Sequence, residues 1–413
     1  MRRDSPAATN RLFPFLLSQP MTSSLPRQAT ARALQEHFVP TPVSTLVRLA
    51  LGTGMALACA AVSAQAPAPT ATTPTLKEVT VSGEAPPSAI APPYAGGQVA
   101  RGSSLGILGT VGTLGSPLSS TSYTADLIQD EQARTIGDVL QNDASVRTAT
   151  AAGGFSEDIT VGGFTITGGD TGLNGLYGLT SASRVPTEIV ERLDLLKGPG
   201  TLINGIPPSG SIGGSVNVMT KRPADAPLTR VGLGYLSDAQ FGASVDIGRR
   251  FGEDNAWGIR VNGAYRDGEA SIDNGNQQVG LGSVGLDYRG RRLRWSLDAY
   301  SQNEDIEEFR PQMGFEPALT VLPPPPDSRS NWFPGTTLKL QDNVVASRIE
   351  YDLTDQLTAY AGIGYRDGSA EQMFPSTQTR SGGAPMNGLG SFTVLNGFYD
   401  AYSKTTSADI GLR

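Results

Sequence analysis

The sequence predicts a small mixed α/β domain followed by an antiparallel transmembrane β-barrel. Three observations support this fold class. The 413 residues include 50 glycines and 29 prolines, a content of turn-forming residues that disfavours a compact helical protein. Only 17% of the residues are charged, which is low for a soluble globular protein. From Leu228 onward, apolar residues recur at every second position over long runs, as in β-strands with one apolar face.

An uncharged apolar run at residues 49–62 predicts a secretory signal within an amino-terminal segment that we assign to residues 1–66. Arg27, Arg32 and Arg48 precede the run, and Ala64-Gln65-Ala66 follows it with the small-x-small pattern of a cleavage site. The run is shorter than the roughly 20 residues that a membrane-spanning helix needs. We therefore expect this segment to be removed during export.

Loss of residues 1–66 would also remove His37 and Cys59, the single histidine and the single cysteine of the chain. Without these residue types, a Ser-His-Asp triad, a Cys-His pair, a His- or Cys-ligated zinc site and a disulfide are all excluded. We expect no catalytic residues, no metal site and no cofactor. The formal net charge of −7 gives no electrostatic footprint for nucleic acid.

Residues 67–100 read as a linker rich in alanine, proline and threonine, with one strand-like island. The island comprises Leu76, Lys77, Glu78, Val79, Thr80, Val81 and Ser82. A lone strand with no neighbour in sequence can pair with the edge of another protein's sheet. The alternative is a β-prone patch in an otherwise unstructured linker.

Residues 101–227 have the pattern of a mixed α/β unit. Thr135 to Asp138 resembles a capping box that opens a short helix, and Pro186 stands where proline favours a helix start. Two strands are predicted, one over residues 192–197 before a Gly-Pro-Gly turn and one over residues 214–220.

Residues 228–413 contain about eight strand candidates in which polar and apolar residues alternate. In water such sheets would pack their apolar faces together as a sandwich, whereas in an outer membrane they would close into a barrel with lipid outside. Aromatic residues near strand ends, alternating short and long connections, and the lack of an apolar helix span after residue 66 favour the barrel.

One stretch of the α/β unit resembles the plug signature of the TonB-dependent outer-membrane receptors, and among them the siderophore receptors. The resemblance rests on Val190-Glu191-Arg192-Leu193-Asp194-Leu195-Leu196-Lys197-Gly198-Pro199, Gly213-Gly214-Ser215-Val216-Asn217-Val218 and Thr220-Lys221-Arg222-Pro223. Weaker matches are residues 135–141 and 159–164, where this chain has Gly162 in place of the usual arginine. The resemblance covers residues 76–413.

The resemblance implies that residues 101–227 form the plug and residues 228–413 the first part of the barrel. It also implies that Leu76 to Ser82 is a TonB box, which binds the inner-membrane energy-transducing complex. The residues of the plug signature are expected to be structural; they are Glu191, Arg192, Lys197, Gly198, Pro199, Gly213, Gly214, Asn217, Lys221, Arg222 and Pro223. Transporters of this kind close with 22 strands, so we expect an amino-terminal portion of the receptor with about eight of them.

Candidate ligand contacts are arginine and aromatic residues in segments between strands, since ferric siderophores present aromatic or hydroxamate surfaces and often negative charge. In the plug these are Phe164, Tyr177 and Arg184, and in the long connection after residue 306 they are Arg310, Phe315, Trp332 and Phe333. Each could instead be an ordinary loop or interface residue.

The function predicted from these features is the energy-coupled import of ferric siderophores across the outer membrane, with iron carried by the ligand. The partners would be the siderophore, a TonB-type complex and outer-membrane lipid. A receptor of the same architecture for cobalamin, haem or a carbohydrate is the main alternative, and the lack of histidine after residue 66 argues against haem. A passive porin and a secreted β-sandwich adhesin are the others.

Overall fold

The computed structural model describes residues 92–150, 154–236, 239–269, 272–311, 313–325, 327–331, 333–376 and 383–413. The predicted signal segment and the strand at residues 76–82 lie outside these ranges. Within them, no helix is long and apolar enough to cross a membrane.

The first part of the described chain is built on short strands and three short helices. A four-stranded sheet has the order β3-β8-β9-β7, a three-stranded sheet the order β4-β5-β6, and β1 and β2 form a separate hairpin. The strands are β1 Gly102–Ser104, β2 Thr110–Gly112, β3 Ser120–Thr124, β4 Val146–Thr148, β5 Ile159–Val161, β6 Phe164–Ile166, β7 Gly172–Leu173, β8 Val190–Lys197 and β9 Gly214–Thr220. The helices are α1 Ala125–Asp130, α2 Ile136–Leu140 and α3 Thr201–Asn204.

Helix α2 begins where the sequence predicts it. The Thr135 side chain accepts from the Asp138 backbone N–H, and the Asp138 carboxylate accepts from the Thr135 N–H, which completes the capping box. Ile136, Val139 and Leu140 are buried on one face of the helix. After Pro186, in contrast, the chain makes only one 3-10 turn, Thr187–Ile189, because β8 begins at the next residue.

The paired strands β8 and β9 form the centre of this domain. Leu193, Leu195, Val216 and Val218 are almost completely buried between the sheet and its covering segments. Burial of such side chains contributes about 1.5–3 kcal/mol each to the stability of the domain.

The second part of the described chain is one antiparallel sheet in which each strand pairs with the next. The strands are β10 Leu228–Leu236, β11 Gln240–Phe251, β12 Trp257–Asp267, β13 Gln277–Arg289, β14 Leu293–Glu307, β15 Thr337–Thr354, β16 Leu357–Ser376 and β17 Leu395–Leu412. Strands β10 and β17 lie at the two edges of the sheet.

The two faces of this sheet reverse the usual arrangement of a soluble protein. Polar side chains on the inner face are buried, as Asp246, Asp298 and Asp342 show. Apolar side chains on the outer face are exposed; Leu233 is 87% and Ile363 59% exposed. An apolar outer face and a polar inner face are those of a barrel wall in lipid, which confirms the predicted fold class.

The outer face is apolar only over part of its height. On β15, Ile349, Tyr351 and Leu353 are exposed near one end of the strand, whereas Lys339 and Gln341 occupy the same face near the other end. Because side chains on one face recur at every second residue, the apolar band stops part of the way along the strand. The portions of β14, β15 and β16 next to the connection at residues 308–336 therefore extend beyond the lipid.

Aromatic side chains mark both margins of the apolar band on β10 to β14. Trp257 packs on Tyr288 and Trp295, with ring centroids 4.9 and 6.2 Å away. At the opposite ends of the strands, the rings of Tyr235 and Phe241 are 5.1 Å apart. These two groups have the positions of interfacial girdles, as the sequence predicts.

Connections between strands differ in length at the two ends of the sheet. One end has residues 252–256, 290–292 and 355–356, and the other has residues 268–276, 308–336 and 377–394. The short connection at residues 237–239 belongs to the end with long ones, so the predicted alternation is not strict. Outer-membrane barrels place short turns in the periplasm and long loops outside, and we assign the two ends accordingly.

Replacing Ile363 by arginine tests whether the outer face lies in lipid. A cation there should lower the free energy of unfolding by about 2–4 kcal/mol, because it must leave water for hydrocarbon. The measurement is denaturant unfolding of the receptor in lipid vesicles. Gln341→Arg, on the polar part of the same face, is the matched control and should change little. Equal effects of both variants would contradict the assignment of the lipid-facing band.

Candidate functional site

The amino-terminal domain is attached to the inner face of the sheet by ion pairs. Lys221 Nζ lies 3.1 Å from Asp246, Arg222 lies 2.5 Å from Asp298, and Arg184 lies 3.1 Å from Glu304. Glu188 pairs in the opposite sense with Arg266 of β12. The domain thus lies against the polar inner wall and occupies the space that this wall faces.

Asp298 of β14 is the most connected of these wall residues. It accepts two hydrogen bonds from Arg222, one from Thr220 at 2.8 Å and one from Asn174 at 3.0 Å. Arg222 and Thr220 lie at the carboxyl end of β9, where the chain leaves the domain for β10. The junction is therefore fixed to the wall by a buried carboxylate whose acceptor sites are filled.

Arg184 is 6% exposed and lies between two carboxylates. Its Nη1 donates to Glu157 at 3.0 Å and its Nε to Glu304 at 3.1 Å, while Nη2 donates to the Gly154 carbonyl at 3.4 Å. The side chain therefore fixes residues 154–157 to the wall strand β14. The sequence predicted Arg184 as a ligand contact, and in this structure its donors face protein groups.

Burial determines the titration of this group. It raises the pKa of the Glu157 carboxyl to about 7, against the lowering effect of the adjacent guanidinium. Burial by itself would lower the pKa of Arg184, but Glu304 and Glu157 outweigh it and raise that pKa above its usual value. Two carboxylates thus share one permanent positive charge.

An aromatic cluster lies at the end with long connections, next to the segment that Arg184 holds. The ring of Phe374 on β16 is 6.0 Å from that of Phe155 and 6.1 Å from that of Phe309. Phe155 is 39% exposed. We call Phe155, Phe309 and Phe374 the outer aromatic cluster. No spacing in the sequence indicates it, since its members come from three separate segments.

The candidate residues of the long connection lie at this same end. Arg310 donates to the carbonyl oxygens of Ser328 and Ser330 at 2.5 and 2.6 Å, and the ring of Phe333 is 5.9 Å from that of Phe392. Phe315 is 44% exposed. Trp332 lies outside the described residues.

The two remaining candidates lie elsewhere in the plug. Phe164 is 55% exposed at the start of β6, after the Gly162-Gly163 turn. Tyr177 lines a cavity at the end with short turns, and burial raises the pKa of its phenol. The six candidates that the structure describes therefore do not form one cluster.

The plug signature maps to the central sheet and its turns. Arg192 donates to Asp194 at 2.6 Å, and Lys197 lies 2.6 Å from Asp143. Asp194 is 3% exposed and also accepts from the Ser122 hydroxyl at 2.6 Å and the Ser104 N–H at 2.9 Å. Sequence reasoning did not single out Asp194, although a carboxylate between apolar strand residues is an available signal.

Gly213 and Gly214 of the signature occupy positions where a side chain has no space, whereas Gly198 is required by its backbone conformation. A Cβ on Gly214 would lie 2.4 Å from the Leu196 carbonyl oxygen, and one on Gly213 would lie 2.5 Å from Phe164 Cβ. Gly198 has a φ of +86° in the turn before Pro199.

The other residues of the signature differ in their surroundings. Asn217 accepts from the Gly175 N–H at 2.9 Å. Glu191 is exposed, and Pro223 accepts through its carbonyl from Arg250 at 3.0 Å.

Comparison with known proteins agrees with this architecture. The model of the TonB-dependent receptor plug domain matches residues 113–215. The ferrichrome receptor FcuA of Yersinia enterocolitica is 37% identical over 324 residues, which are 78% of this chain and 41% of FcuA. The structure of BauA, the ferric preacinetobactin receptor of Acinetobacter baumannii, has a TM-score of 0.71 at 36% identity, covering 77% of this chain and 47% of BauA.

A more distant structure shows the same fold. The ferripyoverdine receptor of Pseudomonas aeruginosa has a TM-score of 0.61 at 16% identity and covers 78% of this chain. The chain spans less than half the length of each of these relatives.

The fold and the contacts define an outer-membrane β-barrel protein whose inner wall holds a plug domain. The chain belongs to the TonB-dependent receptors.

Replacing Arg184 by alanine should destabilise the receptor by about 3–5 kcal/mol, because it leaves two buried carboxylates without a counter-charge. The free energy of unfolding in detergent measures the effect. Arg184→Lys should recover part of the loss, since it restores the charge without the planar guanidinium. Arg147→Ala is the control, because Arg147 donates to the backbone carbonyls of Ala144 and Val146. If Arg184→Ala changes the free energy of unfolding as little as Arg147→Ala does, the two ion pairs of Arg184 do not contribute to stability.

The raised pKa of Glu157 predicts a pH-dependent stability. A carboxyl with a higher pKa in the folded state stabilises below its unfolded pKa of about 4.5, and that contribution is lost as pH rises through about 7. Glu157→Gln keeps an acceptor for Arg184 but cannot ionise, so its free energy of unfolding should fall less than that of the wild type between these pH values. If the free energy of unfolding depends on pH in the same way in both proteins, the pKa of Glu157 is not raised.

Proposed function

We propose that this receptor imports ferric siderophores across the outer membrane with energy supplied from the inner membrane. The observation that supports the proposal is a plug domain ion-paired to the inner wall of the sheet. The chain that contains this plug is about as similar to a ferrichrome receptor as to a ferric preacinetobactin receptor. A lumen that a plug occupies is unsuited to passive diffusion, which argues against a porin.

The outer end offers the surface for capture. The outer aromatic cluster and the long connections with Arg310, Phe315 and Phe333 lie on this side of the plug. Aromatic rings and guanidinium groups suit the aromatic, hydroxamate or anionic surfaces of ferric siderophores. The Arg184 ion pairs hold residues 154–157, including Phe155, in position beside this surface, so Arg184 acts as a positioning residue.

Release inward requires that the plug move, because the plug occupies the lumen. Its contacts with the wall are charged, numerous and buried, so moving it requires energy. The outer membrane has no ATP, and the energy must be delivered mechanically to the plug's amino-terminal side. Leu76 to Ser82 is the proposed handle, through backbone hydrogen bonds to the TonB-type partner. The receptor itself makes and breaks no covalent bond in this scheme, and iron belongs to the ligand.

Uptake of radiolabelled ferric chelates tests the proposed function directly. Cells that produce this receptor should accumulate iron from at least one of ferrichrome, ferric preacinetobactin and ferripyoverdine, and accumulation should stop when a protonophore removes the energy supply. Labelled cyanocobalamin serves as the competing ligand. Uptake of cobalamin with none of the three ferric chelates would contradict a siderophore receptor.

Val79→Pro tests the energy coupling. Proline removes a backbone donor and disrupts pairing with a partner strand, so uptake should fall to the level of cells treated with a protonophore, while binding of the chelate at the cell surface remains. Ala71→Pro, in the proline-rich part of the same linker, is the matched control and should transport normally. Unchanged uptake by Val79→Pro would contradict the pulling role.

A further inference from the structure

The turn between β13 and β14 carries four arginines within six residues. Residues 289–294 read Arg-Gly-Arg-Arg-Leu-Arg, and we call this segment the basic turn. It belongs to the end of the sheet with short connections, which we assign to the periplasm. A backbone hydrogen bond from the Gly290 N–H to the Leu293 carbonyl at 2.8 Å closes it. This short loop therefore holds its arginines close together at one end of the wall.

Two arginines of the basic turn are paired with carboxylates and two are not. Arg289 donates to Asp225 at 2.5 Å, and Arg294 donates to an aspartate of β15 at 2.6 Å. Arg291 and Arg292 are exposed, and their guanidinium groups make no hydrogen bond or ion pair with any residue that the structure describes. The tip of the basic turn thus carries two positive charges that these residues do not neutralise.

The neighbouring short connections do not share this charge. Residues 252–256 include Glu253 and Asp254, and residues 355–356 include Asp355. The cationic surface is therefore confined to the basic turn. Its extent suits the headgroup of one lipid or of a few lipids rather than an extended polyanion.

The basic turn continues directly from the lower aromatic girdle. Tyr288 and Trp295, which pack with Trp257 at the margin of the apolar band, are partners across β13 and β14. Arg292 lies three residues from Trp295, which is at most about 10 Å along the strand and about 7 Å along the membrane normal for a tilt of about 45°. A bilayer of about 40–45 Å with a hydrocarbon core of about 30 Å leaves about 5–8 Å of headgroups on each side. The tip of the turn therefore lies within the headgroup layer.

We propose that the basic turn binds the phosphodiester group of an anionic phospholipid in the periplasmic leaflet of the outer membrane. Arg291 and Arg292 donate to the phosphate oxygens, while Trp257 and Trp295 contact the acyl chains below the headgroup. Basic clusters at a membrane surface attract anionic lipids through the same charge complementarity. The inference goes beyond the proposed function, because it concerns the lipid around the receptor and not the ligand that the receptor imports.

Charge also selects among phospholipids at this site. The phosphate of phosphatidylethanolamine is followed by an ammonium group, which the guanidinium groups of Arg291 and Arg292 repel. Phosphatidylglycerol has the same phosphodiester without the ammonium group. The basic turn should therefore prefer phosphatidylglycerol to phosphatidylethanolamine.

Native mass spectrometry of the receptor, titrated with each of these two lipids in detergent, tests the preference. The wild type should bind the first phosphatidylglycerol about 25-fold more tightly than the first phosphatidylethanolamine. This factor follows from about 1 kcal/mol, or about fivefold, for each of two arginines near an anionic surface. Equal affinities of the wild type for the two lipids overturn the proposal.

Replacing Arg291 and Arg292 together by glutamine locates the site. The double variant should bind the two lipids with similar affinity, because the two free positive charges are gone. The matched control replaces Arg101 and Arg147 by glutamine, which removes two exposed charges from the plug, away from the lipid. A double variant that keeps the wild-type preference overturns the proposal, and so does an equal loss of preference in the control.

Trp257 and Trp295 give a second readout in vesicles that does not need the double variant. Bromine atoms on the acyl chains of phosphatidylglycerol quench tryptophan fluorescence at short range. In vesicles of phosphatidylethanolamine with a small fraction of brominated phosphatidylglycerol, quenching of the wild type should exceed that of random mixing several-fold. Quenching equal to random mixing overturns the proposal. If inorganic phosphate removes the excess quenching more than chloride of the same ionic strength does, the turn binds free phosphate and the lipid site is wrong.

Discussion

Charge compensation between plug and wall is the constraint on which the rest of this structure depends. A barrel wall in lipid must turn its polar side chains inward, and once a domain fills that interior, those side chains lose water. Asp246, Asp298 and Glu304 each meet a cation of the plug, and Glu188 of the plug meets Arg266 of the wall. A buried carboxylate without such a partner would cost several kcal/mol. The charged residues of the plug and those of the wall are therefore matched to each other.

Under the proposed function, this constraint explains why import would need an external source of energy. The plug is held by many interactions that are each weak in water but strong in a dry interior. Thermal motion does not break all of them together, and a chelate that binds outside cannot supply the difference for every contact. A directed pull on one end can break them in sequence, beginning with the element nearest the point of attachment. The β1–β2 hairpin, which contains the first named strands of the described chain, occupies that position.

Features that depend on neighbours in sequence could be predicted from it. The two-residue alternation from Leu228 onward indicates the wall, since each strand carries its own lipid-facing and inward-facing pattern. The capping box of Thr135 and Asp138 is equally local, and it is present. The helix predicted to begin at Pro186 is a single 3-10 turn, because β8 begins at Val190. The start of β8 is set by pairing with β9 rather than by the local segment.

The surroundings of the candidate binding residues could not be predicted from the sequence, because they come from distant segments. Arg184 has the features of an exposed ligand contact in the sequence, yet its partners Glu157 and Glu304 lie far from it along the chain and enclose it. Tyr177 and Arg310 both have suitable chemistry, and only the topology separates them to opposite ends of the lumen. The outer aromatic cluster was missed for the converse reason, since Phe155, Phe309 and Phe374 meet only in three dimensions.

The polar upper part of β14 to β16 has a consequence for how molecules approach the receptor. Each residue adds about 3.4 Å along the axis of a tilted strand, so a wall that continues past its apolar band carries the long connections away from the lipid. Any solute that reaches the receptor by diffusion meets a raised rim rather than an opening level with the bilayer. The residues of this rim do not contact the lipid, so the apolar band does not constrain them.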